Sequence, residues 1–163
     1  MLRDRNLIPL SRQHQHALAL CVRLERDLAS GARAPEQLTA WQTEIEQLFQ
    51  SEIRYHFEAE EKLLFPVARR QAGLRILVDE LLAEHVRLRA LVQQAAARSL
   101  DAAGLGRFAE ILSGHIRKEE RHLFEPCQTL VPADELERVG AAMEEYFQGS
   151  GMPEASCALR PRP

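Results

Sequence analysis

Apolar residues along this chain return every three or four positions, as on one face of an α-helix, and no convincing stretch alternates with a strand's period of two. Five helical segments follow from that pattern. The first runs from about Leu10 to Ala29, with Leu10, His14, Ala17, Cys21, Leu24 and Leu28 on one stripe, and closes at "SGARAP". Pro35 stands where a helix begins without losing a hydrogen bond. The second helix carries Ile45, Leu48, Phe49, Ile53 and His56 to about Phe65, where Pro66 ends or kinks it. Beyond Gly73, a third helix from Leu74 to about Arg98 turns Val78, Leu81, Leu82, His85, Leu88 and Val92 inward. "SLDAAGLG" reads as the next break, and a fourth helix then carries Phe108, Ile111, Leu112, His115, Glu119 and Leu123 before Pro126. Pro132 opens a short fifth helix to about Gln148. Four long amphipathic helices with short connections predict an all-α fold, an antiparallel up-down four-helix bundle within a domain spanning residues 1–148. The extra C-terminal helix is expected outside the bundle or at one end, and residues 149–163 as a disordered tail.

The inward stripes are not purely apolar. His14 lies between Leu10 and Cys21, and His85 between Leu81 and Leu88. The other two long helices share a repeated phrase, "HFEAEEKLLFP" from His56 and "HIRKEERHLFEP" from His115. His56 and His115, Glu60 and Glu119, Glu61 and Glu120, Leu64 and Leu123, and Phe65 and Phe124 fall in one register. Residues four apart share a helix face, with Cβ atoms about 5–6 Å apart. Each phrase therefore aims an imidazole and a carboxylate at one spot in the core. Burying a glutamate among apolar side chains is costly unless positive charge meets it. Lys62 and Lys118 lie off the stripe, so a metal is the natural partner for both carboxylates. If Glu60 and Glu119 bridge two ions, each ion receives two imidazoles and two carboxylate oxygens, leaving two octahedral positions for a bridging oxide or hydroxide and a small ligand. Such donors, without thiolate, suit iron or manganese, with zinc possible; iron is favoured because open positions suit oxygen chemistry.

His16 is the alternate to His14, about 200° round the first helix on a wetter face. His122, seven residues beyond His115, is expected to play a supporting or structural part. Glu61 and Glu120, about 100° from their neighbours Glu60 and Glu119, read as solvated. Cys21 reads as a small core residue, and Leu64, Phe65, Leu123 and Phe124 as core that shields the site from water.

Composition narrows the rest. The 163 residues are 45% hydrophobic and 28% charged with a net charge of −3, ordinary for one globular domain and without the basic excess that nucleic acid requires. No apolar run approaches the roughly 18 residues of a membrane span, and "MLRDRNLIPL" lacks the apolar core of a signal peptide. Cys21, Cys127 and Cys157 are odd in number and scattered, which points to a reducing cytoplasm rather than a disulfide framework.

"HFEAEE" and "HIRKEE", with a histidine on the first helix and another on the third, resemble the hemerythrin-like, His-His-Glu cation-binding domain over roughly residues 10 to 127. The resemblance implies a four-helix bundle around a non-haem di-iron centre. His14, His56, His85 and His115 would be terminal ligands, and Glu60 and Glu119 the bridges. Two departures place the chain nearer to bacterial and regulatory members, including iron–sulfur repair di-iron proteins and iron-sensing domains. Arg89 stands where hemerythrins have a second third-helix histidine, and Glu119 follows His115 by four residues where those proteins have an aspartate at five.

The leading expectation is a cytoplasmic metal-binding protein whose two iron ions bind oxygen, nitric oxide or a related small ligand, as sensor, store or stress-response protein. A di-iron oxidoreductase or iron–sulfur repair enzyme competes with it. Repair enzymes of this kind often carry an N-terminal domain with a cysteine pair, and this chain starts about ten residues before its first helix. A metal-free or zinc-filled helical interaction module is the third reading. Monomer and homodimer stay open.

Overall fold

The computed structural model describes residues 2–151, and every regular element among them is helical. Helix α1 spans Ile8–Ala29, α2 residues 35–68, α3 Arg75–Ala96, α4 residues 102–130 and α5 Ala133–Gly149. The tail expected beyond Gly149 lies largely outside the described residues. No helix among them is long and apolar enough to cross a membrane.

Three places depart from the periodicity. Helices α2 and α4 do not stop at Pro66 and Pro126 but run on to Ala68 and Leu130. A proline inside a helix loses a hydrogen bond and clashes with the carbonyl four residues back. Wider π-helical turns at Glu60–Leu64 and Glu119–Phe124 precede the two prolines. Each proline then falls in the first turn of the α-helical stretch that resumes, where a missing N–H costs nothing. The third departure is the start of α4 inside the expected break. Asp101 sits in extended conformation and its carboxylate accepts from the Gly104 amide at 2.7 Å, so "AAGLG" becomes the first turns of the helix.

The core falls into two apolar clusters. One gathers Leu7 and Leu10 of the N-terminal stretch, Leu64, Phe65, Val78, Leu81, Leu123 and Phe124. Helix α5 adds Leu136, Val139, Met143 and Phe147 to it, so this helix closes one end, as expected. Gly140 allows that approach, since a Cβ there would stand 2.7 Å from the Cβ of Asn6. The other cluster holds Ala17, Cys21, Leu24, Trp41, Ile45, Phe57, Leu88, Val92, Phe108 and Leu112. Along α1 and α3 the chain passes from the first cluster to the second, and along α2 and α4 from the second to the first. Every one of these helices therefore crosses the layer between the clusters, and that layer is polar.

Removing the α4 cap with Asp101→Ala should cost about 1 kcal/mol. The melting temperature should fall by about 2–4 °C at unchanged helical circular dichroism; no fall would mean that the cap does not set the start of α4.

Candidate metal centre

Six polar side chains fill the layer. Helix α1 brings His14, α2 brings His56 and Glu60, α3 brings His85, and α4 brings His115 and Glu119; none is more than 4% exposed. They form two groups that share both carboxylates. His14, His56, Glu60 and Glu119 make one, and His85, His115, Glu60 and Glu119 the other, with the donor atoms of each group within 4.8 Å of one another. The Nε2 atoms of His14 and His56 are 3.0 Å apart, and those of His85 and His115 3.1 Å. Glu60 sets Oε1 3.3 Å from His56 Nε2 and Oε2 3.5 Å from His85 Nε2. Glu119 sets Oε2 3.1 Å from His14 Nε2 and Oε1 3.3 Å from His115 Nε2. Each carboxylate thus turns one oxygen toward each imidazole pair.

A metal centre fits this arrangement. All four carboxylate oxygens are buried, and none makes a geometrically sound hydrogen bond among the described residues. Leaving a buried carboxylate so costs several kcal/mol unless positive charge compensates it. Two donors about 2.1 Å from a shared ion lie about 3.0 Å apart at octahedral angles and about 3.4 Å apart at tetrahedral ones. The imidazole–imidazole spacings of 3.0 and 3.1 Å and the imidazole–carboxylate spacings of 3.1–3.5 Å span these two values, as donors around a shared ion would.

Outside the layer, each ring is held by its Nδ1. His14 meets Glu120 at 2.7 Å, His56 meets Gln13 at 2.8 Å, His85 meets Glu61 at 2.8 Å, and His115 meets Glu84 at 2.9 Å. With Nδ1–H donating, Nε2 is left to face the centre, and the ring is locked in orientation. This corrects the reading of Glu61 and Glu120 as solvated residues. The π-helical turns begin at Glu60 and Glu119 and step less than the roughly 100° per residue of an α-helix, so the next carboxylate is carried round to the neighbouring helix's imidazole. Their place in the repeat was the available signal. Periodicity does not mark Gln13 and Glu84, although each immediately precedes the histidine of its helix. A cation backs each outer carboxylate: Arg3 on Glu120, Arg89 on Glu61 and Lys118 on Glu84. Arg89, at the position of the missing histidine, donates to Glu61 at 2.7 Å, and its guanidinium lies over the Phe57 ring.

The alternates fall elsewhere. His16 is more than half exposed and lies 3.1 Å from Glu52, outside both groups. His122 is exposed and belongs to neither, so it does not play the supporting part expected of it. Burial pushes the Cys21 thiol up to about 12, which leaves it an inert core residue. Phe124 stacks on His14, and Phe65 and Phe57 stack on His85 with centroids 5.5 and 3.7 Å away. A small cavity, with about 10 Å³ of room for the centre of a water-sized molecule, is lined by His14 and His56 of one pair and His115 of the other, with Gln13, Glu52 and Phe57 among its further walls.

Without a metal, protons carry the compensating charge. Burial lowers the affinity of His14 for its proton, but Glu119 and Glu120 outweigh it and raise the ring to about 9. His115, between Glu119 and Glu84, rises likewise to about 10 against its own burial. Burial pushes Glu60 and Glu119 up, mutual repulsion raises Glu60 further, and the imidazoles overcome both to hold the two carboxyls below the usual range. A histidine raised on folding contributes stability that is complete below its ordinary 6.5 and lost as pH climbs through its folded value. The metal-free protein should therefore lose melting temperature steadily from pH 6.5 to 9, below the range of the buried thiols. A flat profile there would show that imidazolium does not compensate the carboxylates.

Residues 9–127 match the hemerythrin HHE cation-binding domain. No curated protein matches the chain significantly. The match covers most of the chain, including all four helices that feed the polar layer and the six side chains within it. The chain belongs to the hemerythrin HHE cation-binding domain family.

Proposed function

We propose that the protein holds two iron ions in an antiparallel, up-down four-helix bundle and binds a small ligand such as oxygen or nitric oxide there, as a sensor or store in the cytoplasm. His14 and His56 would hold one ion, His85 and His115 the other, with Glu60 and Glu119 bridging. The observation that carries this reading is the arrangement of the two buried carboxylates, each with one oxygen near each imidazole pair and no hydrogen bond to either oxygen. An imidazole and carboxylate donor set without thiolate suits iron or manganese, and open positions beside it suit the oxygen chemistry of iron.

Iron bound here supplies a change of oxidation state and open coordination positions for the ligand. The chain does the rest. Glu120, Gln13, Glu61 and Glu84 fix the tautomer and tilt of the rings. Phe57, Phe65 and Phe124 keep bulk water from the centre. At neutral pH His14 and His115 must each release a proton before Nε2 can ligate, so metal uptake sheds acid and weakens as pH falls.

Protein made in iron-replete medium should contain two irons per chain and show near-ultraviolet charge-transfer absorption, which zinc cannot produce. Its reduced form should change spectrum on adding nitric oxide or oxygen. One ion per chain, zinc alone, or a spectrum indifferent to both gases would contradict the reading. The double variant His56→Ala, His115→Ala should lose most bound metal and several degrees of melting temperature, whereas His16→Ala should keep its full metal content. Retention of two equivalents in the double variant would remove these residues from the centre.

A further inference from the structure

The two halves of the centre match in their six inner side chains but not in what holds the rings. His85 and His115 both meet carboxylates, Glu61 and Glu84. His14 meets the carboxylate of Glu120, but His56 meets the amide oxygen of Gln13. Gln13 and Glu84 occupy equivalent places, each one residue before the inward histidine of its helix and each reaching the Nδ1 of the histidine on the next helix with a glutamate one turn on. The swap of amide for carboxylate therefore breaks the pseudo-symmetry of the repeat. A carboxylate accepting from Nδ1–H draws the ring toward imidazolate and strengthens Nε2 as a donor, and a neutral amide does so less.

From this difference we infer that the metal positions are inequivalent, the ion on His14 and His56 being the weakly held, exchangeable one and Gln13 the residue that makes it so. The inference rests on the two-ion reading above. Gln13 is a positioning residue here, acting through His56. Outer partners of ligating histidines set metal affinity by about 10- to 100-fold, so the two ions should leave at rates about tenfold or more apart.

The test loads the full chain anaerobically with iron(II), measures the bound equivalents, and follows release to an excess of a colour-forming iron(II) chelator. Wild type should bind two equivalents and release them in two phases of equal amplitude. Gln13→Glu should slow the fast phase about tenfold toward the slow one. Glu84→Gln, the reverse exchange at the equivalent place, should quicken the slow phase toward the fast one. These near-isosteric changes in opposite directions separate an effect on ligand strength from a loss of packing, which would quicken both phases in both variants. A single phase carrying both equivalents in wild type, or an unchanged fast phase in a folded Gln13→Glu variant, would overturn the inference and leave the two-ion reading standing. Failure of wild type to bind two equivalents would overturn both.

Discussion

Two carboxylates in the middle of an apolar bundle, without hydrogen bonds, are the constraint around which this protein is organised. Each such group costs several kcal/mol if left uncompensated, against a total stability of about 5–15 kcal/mol for a domain. Positive charge therefore has to stand between Glu60 and Glu119. The four imidazoles answer that need in two ways, as imidazolium when protonated at His14 and His115, or as neutral donors around a cation. Folding and metal uptake become two outcomes of one electrostatic requirement, and the competition between proton and metal for the same Nε2 atoms follows from it.

The way the chain meets the requirement is economical. One phrase, written in α2 and again in α4, supplies an inward imidazole, an inward carboxylate one turn later and a second carboxylate that reaches a neighbouring helix, α3 from α2 and α1 from α4. The π-helical turns at Glu60 and Glu119 make the third of these possible, and the prolines that follow are accommodated by the same widening. The apolar clusters on either side then fix the separation of the helices, and with it the 3.0–3.1 Å spacing within each imidazole pair.

The helices and the inward residues are legible in the sequence because burial imposes a strict period on Leu10, Leu81, Leu64 and Leu123, and the polar layer interrupts that period at equivalent places. What hides from periodicity has identifiable physical causes. Glu61 and Glu120 look solvated only if every turn is an α-turn. Gln13 and Glu84 border their own stripes, but their partners His56 and His115 sit on other helices, and no spacing along one helix reveals a contact across two. Pro66 and Pro126 suggest helix ends because propensity describes a regular helix, and Asp101 carries a cap signal that the neighbouring glycines obscure.

The most direct measurement is X-ray absorption at the iron edge of the loaded protein. Two carboxylate-bridged ions predict nitrogen and oxygen neighbours only, with a second iron within about 4 Å. An isolated iron without a metal neighbour, or one bound to sulfur, would contradict the account.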